Sequence, residues 1–394
     1  MTSARSSAGS TETGPARSGA FGEIFRVFLR LGLTSFGGPI AHLGYFRSEF
    51  VERRHWLSEQ SFADLVALSQ FLPGPASSQT GFGVGLMRGG LFGGVAAWAG
   101  FTLPSAILMV LFAYGAGSIA DRPLGAGLLH GLELVAVAIV AQAVMGMARS
   151  LCPDRIRASI ATLALIVTLV APWSLVQLAV IVVGGFAGFL MCKASVGAVS
   201  DVGLSPVSRR AGLACLAAYL GLLAAAFAPP PPGAAALFDA FYRSGALVFG
   251  GGHVVLPLLH DAVAAPGWVS DSVFLAGYGA AQALPGPLFT FAAFLGAVAN
   301  TPPHGIAGAV LALLAIFIPG MLCLVGALPF WSALTADPRA RAAMLGTNAA
   351  VVGLLGAALT TRSGRTPWAI PSISRLPRPA LFFSSRGGRR RSLS

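Results

Sequence analysis

The sequence repeats itself, and each copy carries two short runs of helix-breaking residues in otherwise apolar surroundings. The runs of the first copy are Thr34-Ser35-Phe36-Gly37-Gly38-Pro39 and Gln70-Phe71-Leu72-Pro73-Gly74-Pro75, and those of the second are Val248-Phe249-Gly250-Gly251-Gly252 and Gln282-Ala283-Leu284-Pro285-Gly286-Pro287. One offset also aligns Arg30 with Arg243, and a one-residue deletion later aligns Trp56 with Trp268. Chance similarity would not keep Arg, Trp, Gln and Pro-Gly-Pro in one order, so we expect two related halves.

Composition indicates the medium in which these halves fold. Of the 394 residues, 55% are hydrophobic and 10% are charged, whereas soluble domains carry roughly a quarter charged residues. Apolar stretches near or above the roughly 20 residues that cross a bilayer recur along most of the chain. Because lipid cannot satisfy backbone polar groups, this pattern predicts an all-α, polytopic transmembrane helical bundle surrounded by membrane lipid.

Eleven apolar segments divide the chain into five predicted regions. The segments near 22–45 and 62–87 are interrupted by the glycine and proline runs, so we expect broken helices that cross the membrane. Seven segments lie between the starts of the two copies, and an odd number of crossings inverts one copy relative to the other. The regions are a disordered N-terminal tail (1–21), a first repeat (22–191), a linker with one extra span (192–233), a second repeat lacking two segments (234–360) and a basic disordered tail (361–394).

The net charge of +12 arises largely from the C-terminal tail, because residues 362–394 hold eight arginines and no acidic residue. The rest of the chain is much closer to neutral, so we expect no nucleic-acid partner. Positive-residue bias places the tail in the cytoplasm, but eleven crossings from a cytoplasmic N-terminus place it outside, together with Arg47, Arg53 and Arg54. Either one broken segment does not cross, or the tail is read out of its ancestral frame; the second interpretation is favoured.

The four breaks are the candidate binding site. Backbone groups freed at membrane depth persist only against protein, water or a ligand, and a helix that begins there aims unpaired N–H groups at an anion. The alternative is that the breaks are packing kinks, which four matching positions make less favourable. The candidate binding residues beside the breaks are Ser35, Gly37, Gly38, Gln70, Gly74, Ser77, Ser78, Gly250, Gly251, Gln282 and Gly286.

Two arginines lie inside apolar segments shortly before the first break of each copy, Arg30 and Arg243. An unpaired cation there costs about 2.5–3.5 kcal/mol or more, and the guanidinium fork suits an oxyanion. We therefore predict an anion clamp with one arginine from each half. At Arg243 the alternative is an ion pair with Asp239, four residues earlier; Arg30 has Arg26 at that spacing, which favours the clamp.

A carboxylate within the fourth apolar segment, Glu133, is the candidate proton-coupling residue. The alternative is a structural carboxylate that bonds a neighbouring helix or pairs with His130. His42 and His253 follow the two glycine breaks but do not align with each other, which favours packing roles. The sequence shows no motif typical of an enzyme, a metal site or a cofactor site, so a transporter is favoured over an enzyme. Gly184 and Gly188 have the spacing of a helix-contact face.

The residues at the breaks closely resemble the chromate ion transporter (CHR) family in its long, two-domain form, over roughly residues 22 to 360. The motifs that carry this resemblance are Leu33 to Pro39, Tyr45-Phe46-Arg47, Gln70 to Gln79, Phe249 to Pro257 and Gly279 to Pro287.

The resemblance implies a multi-pass carrier of the inner membrane that exports chromate, coupled to protons, with sulfate as a competing analogue. A second copy of the chain is a candidate partner. Members of the family continue with further apolar spans where this chain turns to Arg, Ser and Pro from Thr361. Two alternatives stay open: sulfate or another oxyanion as substrate, and a degenerate membrane protein that does not transport.

Overall fold

The computed structural model describes residues 20–120, 145, 148–149, 151–171, 176–193, 206–228, 232–248, 255–331 and 337–363. Within these ranges the chain forms thirteen α-helices joined by short 3-10 and π-helical turns, with no strand, which confirms the all-α prediction. The helices are α1 (Ala20–Thr34), α2 (Gly38–Arg47), α3 (Glu59–Phe71), α4 (Ala76–Ala120), α5 (Arg155–Val170), α6 (Val176–Met191), α7 (Arg209–Ala225), α8 (Ala234–Ala246), α9 (Val255–Leu259), α10 (Asp271–Ala283), α11 (Phe291–Val298), α12 (Gly305–Ala327) and α13 (Pro338–Ser363).

The first apolar segment is a helical hairpin. Gly37 and Gly38 have φ of 96° and 77°, left-handed values that reverse the chain between α1 and α2. Phe28 and Phe46, nine residues on either side of Gly37, pack with ring centroids 5.7 Å apart. Because α1 is only about 22 Å long, it ends inside a hydrocarbon layer of about 30 Å. The predicted break is confirmed, but the prediction that this segment crosses the membrane is wrong.

The second apolar segment is also a hairpin, with Gly74 at its tip (φ 125°). Leu65 Cδ1 of α3 lies 2.6 Å from the position that a Cβ on Gly83 would occupy, so residues equally far from the tip touch. After the hairpin, Gly89 and Gly90 leave helical geometry and divide α4 into α4a (residues 76–88) and α4b (residues 91–120). At about 45 Å, α4b is long enough to cross.

The second repeat contains the same two hairpins. Ser244 Oγ in α8 lies 3.4 Å from the Leu258 carbonyl oxygen in α9, which shows the return of the chain. The second tip is Gly286 (φ 99°), and the ring of Phe294 in α11 fills the space beside Gly277 in α10. A serine caps the outer end of the second hairpin in each repeat: Ser58 accepts from the Ser61 N–H and Ser270 from the Val273 N–H.

The two repeats run in opposite directions. The crossing helix is α4b in the first repeat and α12 in the second; these helices contain Pro104 and Pro319 at equivalent positions. Trp98 packs on Phe317 with ring centroids 5.7 Å apart. Further along α4b, Tyr114 Oη lies 2.9 Å from the position of a Cβ on Gly305, near the start of α12. Equivalent helices are thus antiparallel, as the predicted inverted repeat requires.

Because the first two hairpins each return the chain, the connector between them lies at a different face of the bundle from the one predicted. Arg54 Nη1 lies 3.1 Å from Glu23 Oε1 in the first turns of α1, and the Arg88 guanidinium lies 5.3 Å from the Trp56 ring centre. The connector that holds Arg47, Arg53 and Arg54 therefore lies at the same face as the start of α1, and its predicted position at the opposite face is wrong. Two segments in each repeat are hairpins and do not cross, so the predicted number of crossings falls by four and stays odd. The predicted side of the tail is therefore unchanged.

The C-terminal helix closes the bundle against the first repeat. In α6, Gly184 and Gly188 lie against Gly346 of α13, close enough that the Gly346 Cα is 2.6 Å from the position of a Cβ on Gly188. The predicted helix-contact face is therefore confirmed. In the ranges that the structure describes, two helical stretches are long and apolar enough to cross a membrane, Ala76–Gly115 and Gly305–Phe330. The boundaries of the five predicted regions stay predictions.

Candidate functional site

Hydrogen bonds join the hairpin tips of one repeat to those of the other. The Gly74 N–H donates to the Val248 carbonyl oxygen at 2.7 Å, and the Gly286 N–H donates to the Ser35 carbonyl oxygen at 2.9 Å. Gly74 aligns with Gly286 and Ser35 aligns with Val248, so these two bonds are equivalent. Each Pro-Gly-Pro tip is thus bonded to a residue just beyond the end of the first helix of the other half, and these two bonds join the repeats inside the bundle.

Close packing against the crossing helices fixes this meeting point. A Cβ on Gly74 would lie 2.7 Å from Gly320 Cα in α12, and a Cβ on Gly286 would lie 2.7 Å from Ser105 Oγ in α4b. Gln79 braces the first tip, because its Nε2 donates to the carbonyl oxygens of Pro73 at 3.0 Å and of Gly320 at 2.8 Å. The tip positions therefore depend on contacts with the opposite repeat.

Two helices of the first repeat begin at the tips, α2 at Gly38 and α4 at Ala76. The N–H groups of the first turn of a helix have no acceptor within it, and the positive end of the helix dipole lies there. An anion at the tips would meet both features. These starts are where the sequence predicts them, immediately after the glycine run and the Pro-Gly-Pro run.

Buried polar side chains of the first repeat surround the tips. The His42 Nδ1 atom lies 3.5 Å from Ser77 Oγ, and the backbone of Ser35 is within hydrogen-bonding reach of the imidazole. Ser105 Oγ donates to the Thr102 carbonyl oxygen at 3.2 Å and lies beside Gly286. We call the following residues the polar cluster, each of which is at most 4% exposed: Ser35, His42, Ser77, Ser78, Thr102 and Ser105.

The polar cluster has no counterpart in the second repeat. At the positions equivalent to its members that repeat has Val248, Val255, Phe289, Thr290, Phe317 and Gly320. Thr290 is the one hydroxyl among them, and its Oγ1 already donates to the Pro287 carbonyl oxygen at 2.9 Å. Among the described residues, the backbone of the site is therefore symmetric, whereas its polar side chains come mostly from the first repeat.

Several polar atoms of the cluster lack a partner among the residues that the structure describes. They are Ser35 Oγ, His42 Nε2, Ser78 Oγ and Thr102 Oγ1. A buried polar group without a hydrogen bond costs about 1–3 kcal/mol, and such groups in native proteins are normally satisfied by protein, water or a ligand. Four of them around the hairpin tips indicate a site for a ligand that accepts hydrogen bonds.

The structure brings together most of the predicted residues that belong to the breaks. Ser35, Gly74 and Gly286 take part in the bonds between tips, Gly37 and Gly38 form the first reversal, and Ser77 and Ser78 are buried in the first turn of α4. Gly250, Gly251 and Glu133 lie outside the described residues.

Four other predicted residues are exposed or contact residues outside the cluster. Arg30 is exposed on α1, about two turns before the tip, and Gln70 is exposed on α3. The Arg243 guanidinium covers the Phe227 ring at 5.8 Å. Gln282 Nε2 donates to the Tyr278 hydroxyl at 2.7 Å. Their roles in binding stay predictions.

Sequence patterns miss three members of the polar cluster. The lack of alignment between His42 and His253 favours a packing role for His42, yet the structure places it beside Ser77 at the start of α4. Comparison of the two repeats does not reveal this position of His42, because the polar side chains of the site are not repeated. Thr102 and Ser105 lie in α4b, far along the chain from the predicted breaks. The packing of α4b against the tips brings Ser105 Oγ beside Gly286, and Thr102 lies one turn earlier on the same helix.

Ionised side chains concentrate at the outer ends of the hairpins instead. Glu49, in the π-helical turn Ser48–Arg53, accepts from Arg54 Nε at 2.6 Å and from Arg53 Nη1 at 3.0 Å. Burial raises the pKa of Glu49, but the hydrogen bonds and charges of Arg54 and Arg53 outweigh burial and leave the pKa below its usual range. Arg47 binds both Glu52 and Glu59. These pairs hold the connector at the mouth of the first two hairpins.

Comparison with known proteins follows the same division into two halves. Residues 22–189 and 235–382 match the sequence profile of a family described as chromate transporter. The chain belongs to this family. It is therefore a membrane protein of a transporter family, and each of the two matched segments contains one repeat with its two hairpins.

Curated relatives with this family name cover most of the chain. A chromate transport protein of Pseudomonas aeruginosa is 29% identical over 90% of this chain and 84% of its own length. A probable chromate transport protein of Synechococcus elongatus is 27% identical over 89% of this chain and 86% of its own length. A chromate transport protein of Cupriavidus metallidurans is 24% identical over 93% and 88%. No solved structure matches the chain significantly.

Proposed function

We propose that this member of the chromate transporter family is a secondary carrier of the inner membrane that exports chromate and binds it at the polar cluster. The observation that carries the proposal is a set of buried polar atoms without a partner among the described residues, where two helices begin and hydrogen bonds join the two repeats. The relatives from Pseudomonas aeruginosa and Cupriavidus metallidurans are both named chromate transport proteins, which supports chromate as the substrate.

The chemistry of the cluster suits a tetrahedral oxyanion. The hydroxyls of Ser35, Ser78 and Thr102 bond no other described residue and can donate to an anion, and the starts of α2 and α4 add N–H groups and positive dipole ends. Chromate and sulfate are both tetrahedral dianions of similar size, so such a site binds both. Sulfate is therefore the second candidate substrate, and transport with each anion separates the two.

Inverted repeats offer a route for the anion. Carriers built from inverted repeats move one repeat against the other around a central site, which opens the site to each face of the membrane in turn. Here the two equivalent bonds between tips cross the boundary between the repeats, so such a movement would change the surroundings of the cluster. Export is favoured by an inside-negative potential, which is worth about 2.3 kcal/mol per charge per 100 mV and twice that for a dianion.

Flux of labelled chromate into vesicles that contain the purified chain tests the proposal. Replacing Ser78 by Ala or Thr102 by Val removes a free donor, and we expect each to weaken apparent affinity about tenfold, since a lost hydrogen bond of about 1.4 kcal/mol has that effect. Ser244→Ala is the matched control, because Ser244 is equally buried but donates to its own helix at Ala240. Absence of flux in the wild type, or equal affinity in all variants, would refute the proposal.

Proton coupling is the second part of the proposal, with Glu133 as the coupling residue. Replacing Glu133 by Gln should leave chromate binding intact and flatten the response of flux to an imposed pH gradient, because a carboxamide carries no transferable proton. An unchanged response would assign coupling to another residue.

A further inference from the structure

We propose that His42 takes up a proton when the dianion binds, so that the site loads one proton with each anion. This inference rests on the proposed function and assigns a further binding residue to the same site. It places a second proton-carrying group, besides Glu133, within the polar cluster, at a residue for which the sequence pattern favours packing.

The placement of the imidazole supports this role. His42 is 1% exposed, its ring stands edge-on to Phe101 with centroids 5.2 Å apart, and Nδ1 lies 3.5 Å from Ser77 Oγ. The Nε2 atom has no partner among the described residues. One ring nitrogen is therefore positioned by the start of α4, and the other is left for a ligand.

The described residues supply no counter-charge to the ring. The elements around α2 contribute the Ser35 backbone from α1, and Ser77 and Phe101 from α4. Their charged side chains are engaged or exposed elsewhere: Arg26 and Arg30 are exposed, Glu23 and Glu49 bind Arg54, Glu59 binds Arg47, Asp64 accepts from Gln60, and Arg88 covers Trp56. Within the described part of the chain, none of these charged groups forms an ion pair or a hydrogen bond with His42.

A buried imidazolium without a counter-charge is unfavourable, so the empty site holds the neutral ring. A dianion beside Nε2 supplies that charge and accepts a charge-assisted hydrogen bond, which is stronger than a neutral one. By linkage, proton uptake then strengthens anion binding by the same factor as anion binding strengthens proton uptake. The loaded site carries one negative charge less than the anion alone, and the proton moves in the same direction as the anion.

Anion binding measured against pH tests the inference on the full chain in detergent. Sulfate is the probe, because it stays a dianion over the range of about pH 5 to 8 in which imidazole titrates. We expect wild-type affinity to rise as pH falls, by up to about tenfold per pH unit for one linked proton. His42→Gln should remove this dependence, whereas His304→Gln, an exposed histidine before α12, should keep it.

The outcomes separate this inference from the proposed function. If the wild type binds neither sulfate nor chromate, both ideas fail. If it binds them and His42→Gln keeps the wild-type pH dependence, or Glu133→Gln alone removes it, only the inference on His42 fails.

A second measurement covers a His42→Gln variant that does not fold. Sulfate is titrated into the wild type in two buffers of different ionisation enthalpy, which counts the protons taken up on binding. About one proton for each anion supports the inference, and a count near zero overturns it.

Discussion

Replacing Gly74 by alanine is expected to destabilise the protein more than any other single glycine replacement at the hairpin tips. The residue has φ of 125°, outside the range that a side chain tolerates, which costs about 1–3 kcal/mol. The new Cβ would lie 2.7 Å from Gly320 Cα, a backbone atom that can move only with α12. Overpacking of this kind costs about 1–3 kcal/mol more. The total is about 2–6 kcal/mol, before any loss of the bond from Gly74 to Val248.

A graded series separates the two causes of this loss. Gly286→Ala meets a hydroxyl, Ser105 Oγ, which can rotate, so its loss should be smaller. Gly38→Ala has φ of 77° but no atom within 4 Å, which leaves only a strain of about 1–2 kcal/mol. Gly44→Ala lies within α2 in open space and should stabilise by about 0.5–1 kcal/mol.

Thermal unfolding of the purified variants in detergent measures the series, with membrane expression as the check on folding. The expected order of melting temperature is Gly44→Ala above wild type, then Gly38→Ala, Gly286→Ala and Gly74→Ala. If Gly74→Ala melts no lower than Gly38→Ala, the close contact with α12 contributes nothing and the reasoning from the tip geometry is refuted.

Two further predictions concern charged residues. Arg30→Ala should abolish chromate flux, and it should change stability by no more than about 0.5 kcal/mol because Arg30 is exposed. Arg30→Lys should also be impaired, because a point charge does not replace the planar guanidinium fork. Normal flux in both variants would assign binding to the polar cluster alone. Glu49 has a lowered pKa, so its stabilisation is complete above the usual carboxyl pKa and is lost as pH falls through the lower folded value. Glu49→Gln should therefore cost roughly 1.5–3 kcal/mol of stability at neutral pH and reduce the fall in melting temperature as the pH is lowered. Glu52→Gln, which removes an exposed pair with Arg47, should do neither. An equal fall in melting temperature at acid pH in the wild type and both variants would contradict this.

Sequence patterns locate the breaks because glycine and proline act on the backbone locally. Gly37, Gly38, Gly74 and Gly286 all have positive φ, as breaks at these positions require. The patterns do not say whether a break bends a helix or reverses it. That depends on whether the two arms pack against each other, as Phe28 and Phe46 do, which is a tertiary contact.

The sequence by itself determined the all-α class, the repeat, its inversion and the tips of the site, since hydrophobic length and backbone-breaking residues act within one segment. Only the tertiary structure decided that the segments are hairpins and that Gly74 binds Val248 while Gly286 binds Ser35. It also decided that His42, Thr102 and Ser105 are buried at or near the tips and that Arg30 and Gln70 are exposed. These outcomes depend on which side chains are buried by another helix, and that helix is formed by residues distant in the sequence.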